Sequence, residues 1–228
     1  MSKRNIKVWA ILFLALFSSL VISACGSNKK TKNESVYSEL NRQIINIVLE
    51  NYEDGDSISA EDIAIDQIFY GTFSQEGVSE ILVTCKILNQ PHVAGLDKTV
   101  GVLLNTDTME MIAYKEFSFD RVVINCMKTS SGYNRILVLG TSTTQGISTQ
   151  DVCLFAIRGN QWVDTPMDVL ETISVEPREA PGEEYYCFVT DDRMIVSYED
   201  KLTNPEEMIT ILRWNPDIEQ FVIDGGEQ

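Results

Sequence analysis

Any chemistry in this chain of 228 residues has to come from five cysteines, one histidine and 34 acidic side chains, helped by runs of hydroxyls. His92 is the sole imidazole, so a general-base scheme built on one would run through it. It sits in a loop beside Pro91, where a histidine ordinarily does nothing more than cover a turn. The run GTSTTQGIST (Gly140 to Thr149) is rich in hydroxyls. Its Gly140-Thr141-Ser142-Thr143-Thr144 lacks the second glycine that lets a nucleophilic serine stand on a tight turn. Neither the phosphate-cradling G-x-x-x-x-G-K-[ST] nor the dinucleotide G-x-G-x-x-G occurs. Carboxylate pairs such as Asp191-Asp192 and Glu183-Glu184 have the chemistry for glycoside hydrolysis. That mechanism depends on the separation of two acids, and so acidic a chain yields adjacent acids by chance.

The stretch ENYEDGDSISAED (Glu50 to Asp62) can be tested as a calcium loop. With Gly55 in sixth place, Glu50 falls first, Asp54 fifth, Asp56 seventh and Glu61 twelfth. Tyr52 then occupies the third ligand position and Ser57 the apolar eighth. Two failures in one loop leave a solvated helix end and turn, and no metal is expected.

Cys85, Cys126, Cys153 and Cys187 are spaced by 41, 27 and 34 residues, each inside a strand-like run: ILVTCKI, VVINCMK, DVCLFAI and YYCFVT. Two readings stay open. An even count in an exported chain suits disulfides, with three possible pairings. Cysteines within apolar strands also behave as small buried hydrophobes. There is no C-x-x-C, and with one histidine a zinc site is not expected.

Cys25 stands apart from these four. Lys3, Arg4 and Lys7 precede an apolar run, VWAILFLALFSSLV (Val8 to Val21), and Ile22-Ser23-Ala24-Cys25 follows it. About 14 apolar residues fall short of the ~20 needed to span a hydrocarbon core. A charged start, an apolar middle and a small-residue exit mark an export signal. The exit resembles the lipobox of bacterial lipoproteins. The resemblance implies that the Cys25 thiolate takes a diacylglycerol in thioether linkage, that cleavage falls between Ala24 and Cys25, and that the new N-terminus can carry a further acyl chain. It places the mature protein on the extracytoplasmic face of a bacterial cell membrane, held by its lipid and with no other cofactor. GSNKKTKNES (Gly26 to Ser35) has no hydrophobic residue and reads as a flexible tether, with residues 25 to 35 as linker and 36 to 228 as one globular domain.

Loss of residues 1 to 24 removes three positive charges and takes the net charge from −16 to −19. Setting aside the tether, with three lysines and one glutamate, leaves −21 on the folded part. Binding to DNA or RNA needs clustered Lys and Arg, so nucleic acid is excluded as a partner. Cationic ligands, divalent ions and plain solubility all suit this balance.

The elements that must position any site are mostly strands. SVYSELNRQIINIVLENY (Ser35 to Tyr52) repeats apolar residues at Val36, Leu40, Ile44, Ile47 and Val48, a helical spacing with Ser35 as its expected N-cap. From residue 63 onward, runs rich in Ile, Val, Tyr and Phe alternate with turn residues. Ile81-Leu82-Val83, Ile136-Leu137-Val138 and Met194-Ile195-Val196 recur at intervals of 55 and 58 residues, each after a strand and a turn. About twelve antiparallel strands in three modules follow, roughly 63–117, 118–175 and 176–228. The rhythm resembles β-propeller blades of the FG-GAP type, although the D-x-N-x-D-G calcium core of that family is missing from all three turns. A β-sandwich or partly open barrel is the alternative mainly-β architecture.

If the modules are equivalent, their inner loops, NQPHVAGLDKT (Asn89 to Thr99), TSTTQGISTQ (Thr141 to Gln150) and EDKLTNPEE (Glu199 to Glu207), project from one face. His92, Asp97, Ser142, Gln145, Asp200 and Asn204 are the candidate binding residues there. Two functions are carried forward: a non-catalytic binding or accessory module of the cell envelope, with a protein or small ligand as partner, and a surface hydrolase that attacks glycans with paired carboxylates.

Overall fold

The computed structural model describes residues 30–88, 97–144, 147–173, 183–200 and 204–225. Twelve antiparallel strands make three four-stranded sheets, each a meander in chain order. The first holds β1 (Ile63–Gly71), β2 (Glu80–Ile87), β3 (Lys98–Asn105) and β4 (Met111–Phe117). The second holds β5 (Arg121–Lys128), β6 (Asn134–Thr144), β7 (Ile147–Arg158) and β8 (Gln161–Pro166). The third holds β9 (Glu183–Thr190), β10 (Arg193–Asp200), β11 (Asn204–Asn215) and β12 (Gln220–Ile223). The three expected modules are therefore three separate sheets.

Side-chain alternation decides how the sheets stack. In β6, Ile136 and Val138 point one way and join Leu82, Leu103 and Phe117 of the first sheet. Leu137 and Leu139 point the other way and join Met194, Val196, Leu212 and Trp214 of the third. An uninterrupted ILVL run is what a strand covered on both faces requires, and the second sheet is the middle layer. β2 is likewise buried along both faces, from Glu80 through Cys85.

The chain divides by its internal contacts into Met1–Gln43 and Ile44–Gln228. α1 (Lys30–Asn51) begins in the former, where Glu39 bridges Arg42 at 2.7 Å on an exposed face. Ser35 thus lies inside the helix, five residues past its start, and is not the expected cap. No Gly or Pro stands between Ser27 and Asn51, so nothing in the sequence forces the helix to begin only at Ser35. Residues 25 to 29 of the expected tether lie outside the described residues. In Ile44–Gln228 the last turns of α1 bury Ile44, Val48 and Tyr52, four residues apart on one stripe. They lie over the first sheet: the Lys98 ammonium stands 5.6 Å from the Tyr52 ring centre, and the Glu53 N–H donates to the Glu116 carboxylate at 2.8 Å. Among the described residues no helix is long and apolar enough to cross a membrane.

Turns pin the register. Gly159 and Asn160, with φ of 55° and 62°, form the two-residue hairpin between β7 and β8, the left-handed pair that matches strand twist. A single turn, α2 (Val169–Thr172), follows β8, with Asp168 accepting from the Glu171 N–H at 2.9 Å and Val169 sunk into the core shared by the second and third sheets.

Candidate functional site

Several interactions between sheets lie at one end of the stack, while away from it the Tyr185 hydroxyl and the Cys187 N–H of β9 donate to Gln150 of β7 at 2.8 and 2.6 Å. The Asn134 side chain at the start of β6 accepts from the Thr72 N–H at 3.0 Å in the β1–β2 turn. Asn125 of β5 donates to the Asp191 carbonyl at 2.7 Å in the β9–β10 turn. Trp214 Nε1 donates to the Lys128 carbonyl at 3.2 Å, and Arg135 bridges Glu219 at 2.7 Å in the β11–β12 turn. With these turns together, β2, β6 and β10 all run toward the opposite end. The strand ends that carry the three expected binding loops therefore share that end.

The loops are shorter than their sequences suggest. Thr141–Thr144 continues β6 and Ile147–Gln150 continues β7, with Ser142 opposite Thr149, so Ser142 is a half-buried strand residue. Alternating Thr, Ser and Ile suit a pleated ladder, and strand propensity wins over turn chemistry. Asp200 and Asn204 are strand residues too, facing each other in register across β10 and β11. Asp97 is exposed just before β3. His92 and Gln145, like Ala24 and Cys25, lie outside the described residues; of the six candidates, Asp97, Ser142, Asp200 and Asn204 are placed, each on or beside a strand that reaches this end.

The turn-rich end holds a cleft of about 670 Å³ between β5 and the turns of the third sheet. Asn125, Lys128, Asp191, Asp192, Arg213 and Trp214 are among its walls. Asp191 and Asp192 form the two-residue β9–β10 turn, Asp191 with φ of 45°. Being neighbours on one turn, they share one wall, whereas glycoside chemistry needs two acids flanking a bond at ~5–9.5 Å. Asp192 instead faces arginines, 3.5 Å from Arg213 and 4.0 Å from Arg193, and Arg193 reaches Asp224 at 3.8 Å. Exposed pairs of this kind contribute ~0–1 kcal/mol each, so they fix charge positions more than stability. Among the described residues no three acids, cysteines or histidines assemble as a metal-binding group. The Glu50–Asp62 stretch folds into the end of α1 and two short 3₁₀ turns, Gly55–Ser57 and Ala60–Asp62, with Ser59 donating to the Asp62 carboxylate at 2.6 Å.

The four strand cysteines are free thiols. Burial pushes Cys85, Cys126 and Cys187 up to about 12. Cys153 rises to about 11, through burial first and the Asp164 and Asp151 charges second. A thiol held so far above neutral pH is protonated and a poor nucleophile.

One surface lies apart from every site expected from the sequence. The third sheet turns Cys187, Met194, Val196, Leu212 and Trp214 inward, so the alternate residues face out. Phe188, Ile195 and Ile211 form one cross-strand row; Tyr186, Ser197 and Ile209 form the next. Phe188 is 61% exposed, Ile209 62%, Tyr186 49% and Ile211 41%. These are mid-strand residues, not loop tips. The signal was present in YYCFV and MITIL, which are apolar at both parities, a pattern otherwise seen in strands covered on two faces. Compared with known protein families, curated proteins and solved structures, the chain matches none of them.

Proposed function

We propose that this chain is a lipid-anchored, extracytoplasmic lipoprotein whose folded part is a non-catalytic, protein-binding module of the cell envelope. The anchorage rests on Ile22-Ser23-Ala24-Cys25 behind its charged and apolar leader. A single acyl chain holds a protein to a bilayer only marginally, and two or three hold it firmly. The binding role rests on one observation, the outer face of the third sheet, where Phe188 and Ile209 are each more than 60% exposed within paired strands. Contiguous apolar surface of this kind on a folded domain marks an interaction site.

Each half has its own test. Labelled palmitate is incorporated by the wild-type chain in bacterial cells and lost in Cys25→Ala; persistent labelling of the variant rejects the anchor. Chemical crosslinking in intact membranes yields a protein adduct that Phe188→Glu with Ile209→Glu abolishes. An adduct unchanged by that pair rejects the face as the binding surface.

A further inference from the structure

The outermost strand of a sheet carries N–H and C=O groups that can take up a further strand. β9 is outermost in the third sheet. Its stretch YYCFVT (Tyr185 to Thr190) is aromatic and β-branched, uncharged, and free of Gly and Pro. Segments of this kind readily pair with copies of themselves.

The N–H and C=O of one residue leave a strand on the same side. At Cys187 both are taken by a single side chain from another sheet. The Cys187 N–H donates to Gln150 Oε1 at 2.6 Å, and Gln150 Nε2 donates more loosely to the Cys187 carbonyl at 3.4 Å. A primary amide holds a donor and an acceptor side by side, as a residue of an adjoining strand does. Gln150 thus supplies one rung of a β-ladder from its side chain. With Cys187 turned outward, its neighbours Tyr186 and Phe188 turn their backbone groups toward β10.

Gln150 has an open edge of its own. It pairs with Thr141 of β6 on one side, but β8 ends at Pro166, opposite Cys153, and does not reach it on the other. The Val152 carbonyl accepts from the Met167 N–H at 3.1 Å, just past the end of β8. Gln150 stands two residues before Val152, so its carbonyl points to the same side. The Tyr185 hydroxyl donates to that carbonyl at 2.8 Å. Two open edges therefore close one another. β5, outermost in the second sheet, is treated alike: Asn125 Oδ1 accepts from the Cys126 N–H at 2.9 Å, and Trp214 Nε1 donates to the Lys128 carbonyl.

We propose that Gln150 and Tyr185 form an edge guard, which closes β9 and the overhang of β7 to strand addition by a second copy of this chain. Gln150→Ala in the full-length chain, solubilised in detergent, tests it by amide hydrogen exchange and sedimentation velocity. The Cys187 N–H should exchange roughly tenfold faster or more than in wild type, while Tyr186 and Phe188 keep their rates. The variant should also form larger species whose share rises with concentration, where the wild type shows no such rise. Tyr185→Phe, which opens the Gln150 carbonyl alone, should add to the association when combined with Gln150→Ala. Unchanged exchange at Cys187 overturns the rung. Faster exchange throughout β9 and β10 assigns Gln150 to holding the sheet and overturns the guard. Faster exchange at Cys187 without new association overturns it as well. A double variant that associates no more than Gln150→Ala removes Tyr185 from the guard.

Discussion

The carboxylate of Glu80 and the side-chain oxygen of Asn134 lie on neighbouring sheets and together accept from three consecutive backbone N–H groups, Thr72 to Asn134 and Phe73 and Ser74 to Glu80. Ser74 Oγ also donates to Glu80. This accounts for a fully buried acid at the first position of β2, because a buried charge is tolerated only when hydrogen-bonded. Glu80→Ala strands two N–H donors and should lower unfolding free energy by about 2–4 kcal/mol. Asn134→Ala strands one and should cost about 1–2 kcal/mol. Glu80→Gln, which keeps an acceptor, should cost less than Glu80→Ala. Urea titration of the three variants checks the ranking.

Gly140 is a spacer for an aromatic ring. A Cβ placed there would lie 2.3 Å from Cγ of Phe119. Gly140→Ala should therefore cost about 1–3 kcal/mol by overpacking. Phe119→Ala, which removes Cγ and the ring beyond it, should make the same alanine cheaper, because those are the atoms it strikes. A double-mutant cycle reads that coupling directly.

The thiols give the domain an alkaline limit. An unfolded cysteine loses its proton near pH 8.5, whereas burial holds Cys85 and Cys187 to about 12. Below pH 8.5 both states are protonated and these groups give stability no pH dependence. Between pH 8.5 and about 12 the unfolded state has released a proton that the folded state keeps, so stability falls as pH rises. The slope is about 1.4 kcal/mol per pH unit for each such thiol. Urea midpoints at pH 8, 9 and 10 should decline, and Cys85→Ala should flatten the decline. A thiol reagent at pH 8 should react far more slowly with the strand cysteines in the folded chain than after denaturation.

Stability and association should come apart on the third sheet. Phe188→Ser and Ile209→Ser touch exposed side chains and should shift unfolding free energy by no more than ~0.5 kcal/mol. Leu137→Ala and Leu212→Ala empty fully buried positions and should cost about 2–5 kcal/mol each. Thermal melts of the four variants at one protein concentration make the comparison.

Module boundaries were readable because a 55- to 58-residue rhythm of paired strands and turns is local information. The helix was readable for the same reason, and only its start was misplaced, since Ser35 has capping chemistry while nothing before it forbids a helix. The outer face of the third sheet was not readable. A strand apolar at both parities looks alike whether two layers cover it or one, and the difference lies in which other elements pack against it. The loop candidates shrank because Ser and Thr favour turns by composition, yet at residues 141–150 they extend a ladder.

The last turns of α1, from Ile44 onward, lie over the first sheet. A helix laid on a sheet in this way does what a polar-backed cap does in repeat proteins: a layer of the chain itself already occupies the surface on which a further sheet could stack.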